Sequence, residues 1–333
     1  MHYPSLGTSG LRVSSLCLGT MAFGGDADPA TATKIYRRCR DAGITTFDCA
    51  NVYNQGRAES ILGKLVHDDR DELVLTTKAY FPTGPGANAR GGSRYHLVRA
   101  VEASLRRLAT DRIDLFFLHR FDEHTPLEET LRAVEHLVQS GKILYPAVSN
   151  FAAWQTMKAL GLARQHGWAP IVCTQPMYNL VKRQAEAEIL PLCQAEGLGV
   201  LPYSPLGGGL LSGKYTSTQR PPQGRLVANR MYAVRYGDTR HYDVAERFAA
   251  IARREGRHPA TLAIAWVARH PAVTAPLIGC RDLDQLEPCL AAADLRLDDA
   301  LYDELCALTP APPPATDRTE ERAGIEYGRL PAK

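Results

Sequence analysis

No apolar run in this 333-residue chain reaches the roughly 20 residues that a membrane-crossing helix needs. The opening segment, residues 1–13, carries turn residues where a secretion signal needs an apolar stretch, so a cytoplasmic protein is expected, with no membrane partner. Charge of one sign is also missing. Lys and Arg number 39 against 36 Asp and Glu, and a net +3 is too small an excess to imply nucleic acid as a partner. The eight cysteines form no C-x-x-C pair and several fall inside apolar segments, which reads as buried free thiols rather than disulfides or metal ligands. Neither H-E-x-x-H nor G-x-S-x-G occurs, which removes the zinc-peptidase helix and the serine-hydrolase elbow. His119, Asp122 and His124 stand close in sequence without metal-ligand spacing, and no metal site is expected.

What is present is a soluble-type composition, 45% apolar and 23% charged, arranged as a repeat of strand, loop and helix from residue 13 to 309. Eight Val/Ile/Leu-rich runs read as strands covered on both faces: 13–19, 44–47, 73–77, 113–118, 143–148, 171–174, 200–202 and 275–278. Helices between them carry end signals. Asp28 and Pro29 open one that Gly43 closes, Ser93 caps another, and Thr125, Pro126 and Glu128 read as a capping box before a helix closed at Gly141. The expected fold class is α/β, a single (β/α)8 TIM barrel domain over 1–333. A short N-terminal hairpin occupies 1–12, a C-terminal extension 310–333, and long loops follow strands three and seven. Those loops, 80–92 and 215–242, belong on the catalytic face as candidate substrate walls; the second carries Arg220, Arg225, Arg230, Arg235 and Arg240 at five-residue intervals. Tyr80, Phe81, Phe121 and Tyr232 line an aromatic pocket or simply pack these loops.

Polar residues follow the strands directly, and a barrel gathers strand ends at one mouth. Asp48, Tyr53, Lys78 and His119 supply an acid, a phenol, an amine and an imidazole. A free tyrosine has a pKa near 10, and an adjacent ammonium held by a carboxylate lowers it, which suits a tuned acid/base for a carbonyl or alcohol. Singly, each has a structural reading as ion pair, loop aromatic or rim histidine; together they favour function. Ser149, Asn150 and Gln175 offer groups suited to a carboxamide, and Tyr203 offers a flat face for a ring. The run from Ser204 through Leu206 and Gly208 to Lys214 is glycine-rich and ends in a cation, suiting a pyrophosphate. It matches a P-loop only as far as Tyr215, which stands where Ser or Thr is needed, and its Rossmann-like start fails at Ser212. Gly279, Arg281 and Gln285 follow strand eight, where barrels commonly hold phosphate, and Arg281 suits a 2′-phosphate.

The stretches 47–53, 76–78, 111–120, 148–151, 175–179 and 203–206 resemble the aldo-keto reductases, in order and over nearly the whole chain. The long loops are more similar to the bacterial, potassium-channel β-subunit-like branch. The resemblance implies NADPH as cofactor and a catalytic tetrad of Asp48, Tyr53, Lys78 and His119, with Tyr53 as proton donor. It also implies that Ser149, Asn150 and Gln175 hold the nicotinamide, Tyr203 stacks on it, 206–214 covers the pyrophosphate, and Arg281 with Gln285 meets the 2′-phosphate and adenine. Where the family's segment usually ends in asparagine, this chain has Cys289. The expected activity is reversible reduction of an aldehyde or ketone. A cofactor-sensing regulatory subunit and a sugar or glycoside alcohol dehydrogenase stand as alternatives, and a homo-oligomer is left open.

Overall fold

The computed structural model describes residues 1–222 and 224–320. Short apolar runs become strands, each followed by an amphipathic helix that covers its outer face. The first half alternates strictly: β1 (Cys17–Gly19), α1 (Pro29–Asp41), β2 (Thr46–Asp48), α2 (Arg57–Val66), β3 (Val74–Ala79), α3 (Arg94–Leu108), β4 (Ile113–Leu118) and α4 (Leu127–Gln139). It continues with β5 (Ile143–Ser149), α5 (Ala153–His166), β6 (Cys173–Gln175), α6 (Ile189–Glu196) and β7 (Gly199–Val200). Four helices, α7 (Arg225–Ala228), α8 (Arg230–Tyr236), α9 (Thr239–Arg254) and α10 (Pro259–Arg269), precede β8 (Leu277–Ile278), and α11 (Leu283–Leu290) and α12 (Asp299–Cys306) follow it.

All eight strands are parallel, in the order β7-β6-β5-β4-β3-β2-β1-β8. Backbone bonds from Thr274 N to Val200 O (2.9 Å) and from Leu277 N to Pro202 O (2.9 Å) join the two ends, so the sheet curls into a (β/α)8 barrel. Between strands and helices lies the main core, while inward side chains, among them Leu115, Phe117, Ala147, Leu201 and Leu277, fill the interior. Each of these leucine and phenylalanine side chains contributes about 1.5–3 kcal/mol by leaving water.

A hairpin plugs the end opposite the strand C-termini. Ser5 pairs with Arg12, and Leu6 and Val13 are buried inside the barrel. Thr8 N donates to Gly197 O at 2.8 Å, and Gly7 sits at φ 59° with no room for a side chain: a Cβ would lie 2.3 Å from Gly197 O. The first strand is shorter than the apolar run 13–19 because Val13 to Leu16 serve the plug and its junction rather than the ladder.

Asp28 accepts from Thr31 N and Ser93 from His96 N, as expected of caps. The capping box at Thr125 does not form. Asp122 takes the Thr125 hydroxyl (2.7 Å) together with the amides of Gly92 and His124, leaving Pro126 at the helix start without a side-chain cap. The same carboxylate pins the loop after β3. The loop after β7 is not mere coil, since Asn229 caps α8 within it, and its arginines turn largely onto its own rings: Arg220 over Tyr242, Arg225 and Arg235 over Tyr232. Arg240 instead pairs with Asp238. Of the extension expected at 310–333, residues 321–333 lie outside the described part.

Candidate active site

Alternation along β3 sends Thr76 and Lys78 inward and Thr77 outward, and the parallel register sets Thr76 opposite Asp48. Lys78, 0% exposed, reaches both Asp48 oxygens (2.7 and 2.5 Å) and the Cys49 carbonyl (2.8 Å). Asp48 also accepts from the Thr76 hydroxyl (2.6 Å) and the Gln175 amide (3.0 Å). So dense a set of partners is what makes burial of two charges tolerable.

Beside this pair stands Tyr53, its ring centroid 5.4 Å from the Lys78 amine and 6.1 Å from the His119 ring, which meets it edge-on. The four residues are therefore together at the mouth. One expectation is overturned. The phenol's pKa is pushed well above its ordinary value, first by burial and then by the Asp48 charge, where an adjacent ammonium was expected to lower it. Lys78 is already engaged by a carboxylate, and desolvation of a phenolate wins. His119 is driven the other way, down to about 3, by burial first and the Lys78 charge second. Its ring is therefore neutral, with Nδ1 buried and without a hydrogen-bond partner among the described residues.

A polar chain runs from this cluster across β5, β6 and β7. Ser149 donates to Gln175 O (2.9 Å), Asn150 to Ser149 Oγ (3.1 Å) and His119 O (3.0 Å), and the Tyr203 hydroxyl to Asn150 (2.8 Å). Asn150, directly after β5, and Ser204, four residues beyond β7, adopt left-handed backbone, φ 56° and 58°. Sequence reading missed Asn179, whose amide holds Ser204 O at 2.9 Å; it also missed Thr76, whose signal was its two-residue spacing from Lys78.

Leu206 opens a tight turn through Gly207, Gly208 and Gly209, all left-handed, and a Cβ on Gly208 would lie 2.6 Å from Tyr232. The Lys214 pKa is lowered by burial and then by the charges of Arg281 and Arg225. Lys214 thus lies in the field of two other cations, of which Arg225 is also 4.0 Å from Asp26, and such a field favours an anion. Arg225 was not among the expected cofactor residues. Gly279 leaves backbone open beside Gly19, and Gln285 accepts from Arg281 N at 3.3 Å. Cys289 is buried, its thiol turned to Gln285 O.

The Aldo/keto reductase family pattern matches residues 15–309. The chain belongs to this family. An uncharacterized oxidoreductase YrpG of Bacillus subtilis is 40% identical over 94% of this chain and 97% of its own. An L-glyceraldehyde 3-phosphate reductase of Escherichia coli K12 is 35% identical over 86% of each chain. A probable voltage-gated potassium channel subunit beta of Arabidopsis thaliana is 36% identical over 89% of this chain and 92% of its own. This aldo/keto reductase is accordingly an oxidoreductase of a family that uses nicotinamide cofactors. No helix among the described residues is long and apolar enough to cross a membrane.

Proposed function

We propose that this aldo/keto reductase reduces an aldehyde or ketone to the alcohol with NADPH, reversibly, in the cytoplasm. The observation that carries this reading is the buried Asp48–Lys78 pair set beside Tyr53 and a neutral His119. The residues fit such a dinucleotide. The left-handed glycine turn brings backbone close, the chain from Ser149 to Tyr203 offers amide and hydroxyl groups, and Lys214, Arg225 and Arg281 suit phosphates. Arg281 with Gln285 would hold the 2′-phosphate end, favouring NADPH over NADH.

When bound, the cofactor supplies hydride to the carbonyl carbon. Tyr53, kept protonated by burial, gives its hydroxyl proton to the carbonyl oxygen, and Lys78, oriented by Asp48, offsets the charge left on the phenolate. Neutral His119 orients the oxygen. Tyr53→Phe is expected to lower turnover at least 100-fold while NADPH affinity, followed by fluorescence titration, stays within twofold. Full turnover in that variant rejects the role given to Tyr53. The likeness to the Arabidopsis relative favours a second reading, a nucleotide-reading subunit for a partner protein. Uniformly slow NADPH oxidation across a panel of aldehydes and ketones would select it.

A further inference from the structure

We propose that Glu59 and Arg107, neither of them among the reacting groups, are positioning residues that set Tyr53 against Lys78; this rests on the reading of Tyr53 as the acid. The chain leaves Tyr53 through three successive left-handed residues, Asn54 (φ 48°), Gln55 (φ 60°) and Gly56 (φ 85°). Such a turn does not hold its own shape, because each non-glycine residue there is strained. It is braced from two sides. Asn54 donates to the carbonyls of Met21 (2.9 Å) and Phe23 (2.8 Å). On the other side the Arg107 side chain, from the last turn of α3, lies directly under Gly56, where a Cβ would be 2.8 Å from Arg107 Cδ.

Arg107 is in turn fixed by Glu59. Its Nε donates to Glu59 Oε2 at 2.6 Å, and Glu59 is 0% exposed in the first turn of α2. The other Glu59 oxygen accepts the Thr77 hydroxyl at 2.6 Å, and Thr77 adjoins Lys78 on β3. One carboxylate thus ties together the helix that follows Tyr53, the strand that carries Lys78 and the guanidinium beneath the turn. Asp48 orients Lys78 from inside the barrel; Glu59 anchors the same strand from outside. A buried ion pair is a poor source of stability compared with apolar packing, whereas a misplacement of about 1 Å at a reacting group costs roughly 100-fold in rate. Geometry, not stability, accounts for the charges here.

The test uses the full chain with NADPH and 4-nitrobenzaldehyde as probe. Arg107→Met and Arg107→Lys are made in the parent and in Tyr53→Phe. Arg107→Met is expected to lower kcat about 10- to 100-fold with NADPH affinity within twofold, and Arg107→Lys to recover part of the loss. In the Tyr53→Phe background the same substitution should change the residual rate less than twofold, because its effect runs through Tyr53. Parent kcat in Arg107→Met, or an equal loss in both backgrounds, overturns the proposal. If Arg107→Met no longer binds NADPH, Glu59→Gln, close in shape, carries the same cycle. Tyr53→Phe alone reports on the functional reading: if it collapses turnover and Arg107→Met does not, only the positioning role falls.

Discussion

His119 holds its imidazole at the mouth with Nδ1 buried and unbonded among the described residues, and its pKa of about 3 lies far below the 6.5 of an exposed ring. Between those values the unfolded chain binds a proton that the folded chain does not, so stability rises with pH through that window and is lost as pH falls. His119→Asn is expected to remove this contribution. Denaturant melts should show the parent losing more stability than the variant from pH 7 to pH 4, by a few kcal/mol; parallel curves would count against a neutral buried ring. Tyr53 runs opposite, held protonated, which keeps a proton donor loaded across the neutral range. That Asp48, Tyr53, Lys78 and His119 would meet at one mouth was legible from their positions after the strands. The direction of the phenol shift was not, because desolvation depends on what surrounds a group and not on its neighbours in sequence.

At the scale of elements, the glycine turn after β7 and the helical loop that packs on it form one unit. Tyr232 occupies the space a side chain on Gly208 would need, and Leu226 lies 3.3 Å from the same point. Gly208→Ala is expected to cost about 1–2 kcal/mol in a thermal melt from its left-handed backbone and to weaken NADPH binding several-fold by displacing Tyr232. Unchanged affinity would remove this turn from the cofactor site. The run Ile113 to Leu118 announced its strand to the residue, since nothing else competes for a buried β-rich segment, while the other seven runs located their strands with shifted ends. Thr125 misled because the competitor for its hydroxyl, Asp122, acts through a turn that also receives Gly92 from thirty residues earlier. The helices inside 225–236 were likewise hidden, being too short to show periodicity and dependent on packing for their stability.

For the molecule as a whole, closure matters at both ends of the cylinder. The seam between β7 and β8 rests on a few backbone bonds, and the hairpin plug is keyed into the β7 side through Gly7 and Gly197. Gly7→Ala would drive a Cβ to within 2.3 to 2.7 Å of backbone atoms of Gly197, Leu198 and Gly199, none of which can rotate away. A loss of roughly 3 kcal/mol or more in a denaturant melt is expected. A loss under about 1 kcal/mol would mean that the plug does not close the barrel.

Local alternation of apolar runs with capped helices determined the architecture and which residues stand at the mouth, because periodicity and strand-end position are properties of neighbouring residues. Tertiary structure alone decided the partners: Asp48 shared among Lys78, Thr76 and Gln175, and Glu59 buried between Thr77 and Arg107. Those pairings join positions up to 127 residues apart, and their strength comes from exclusion of water by the finished barrel, which no stretch of sequence carries by itself.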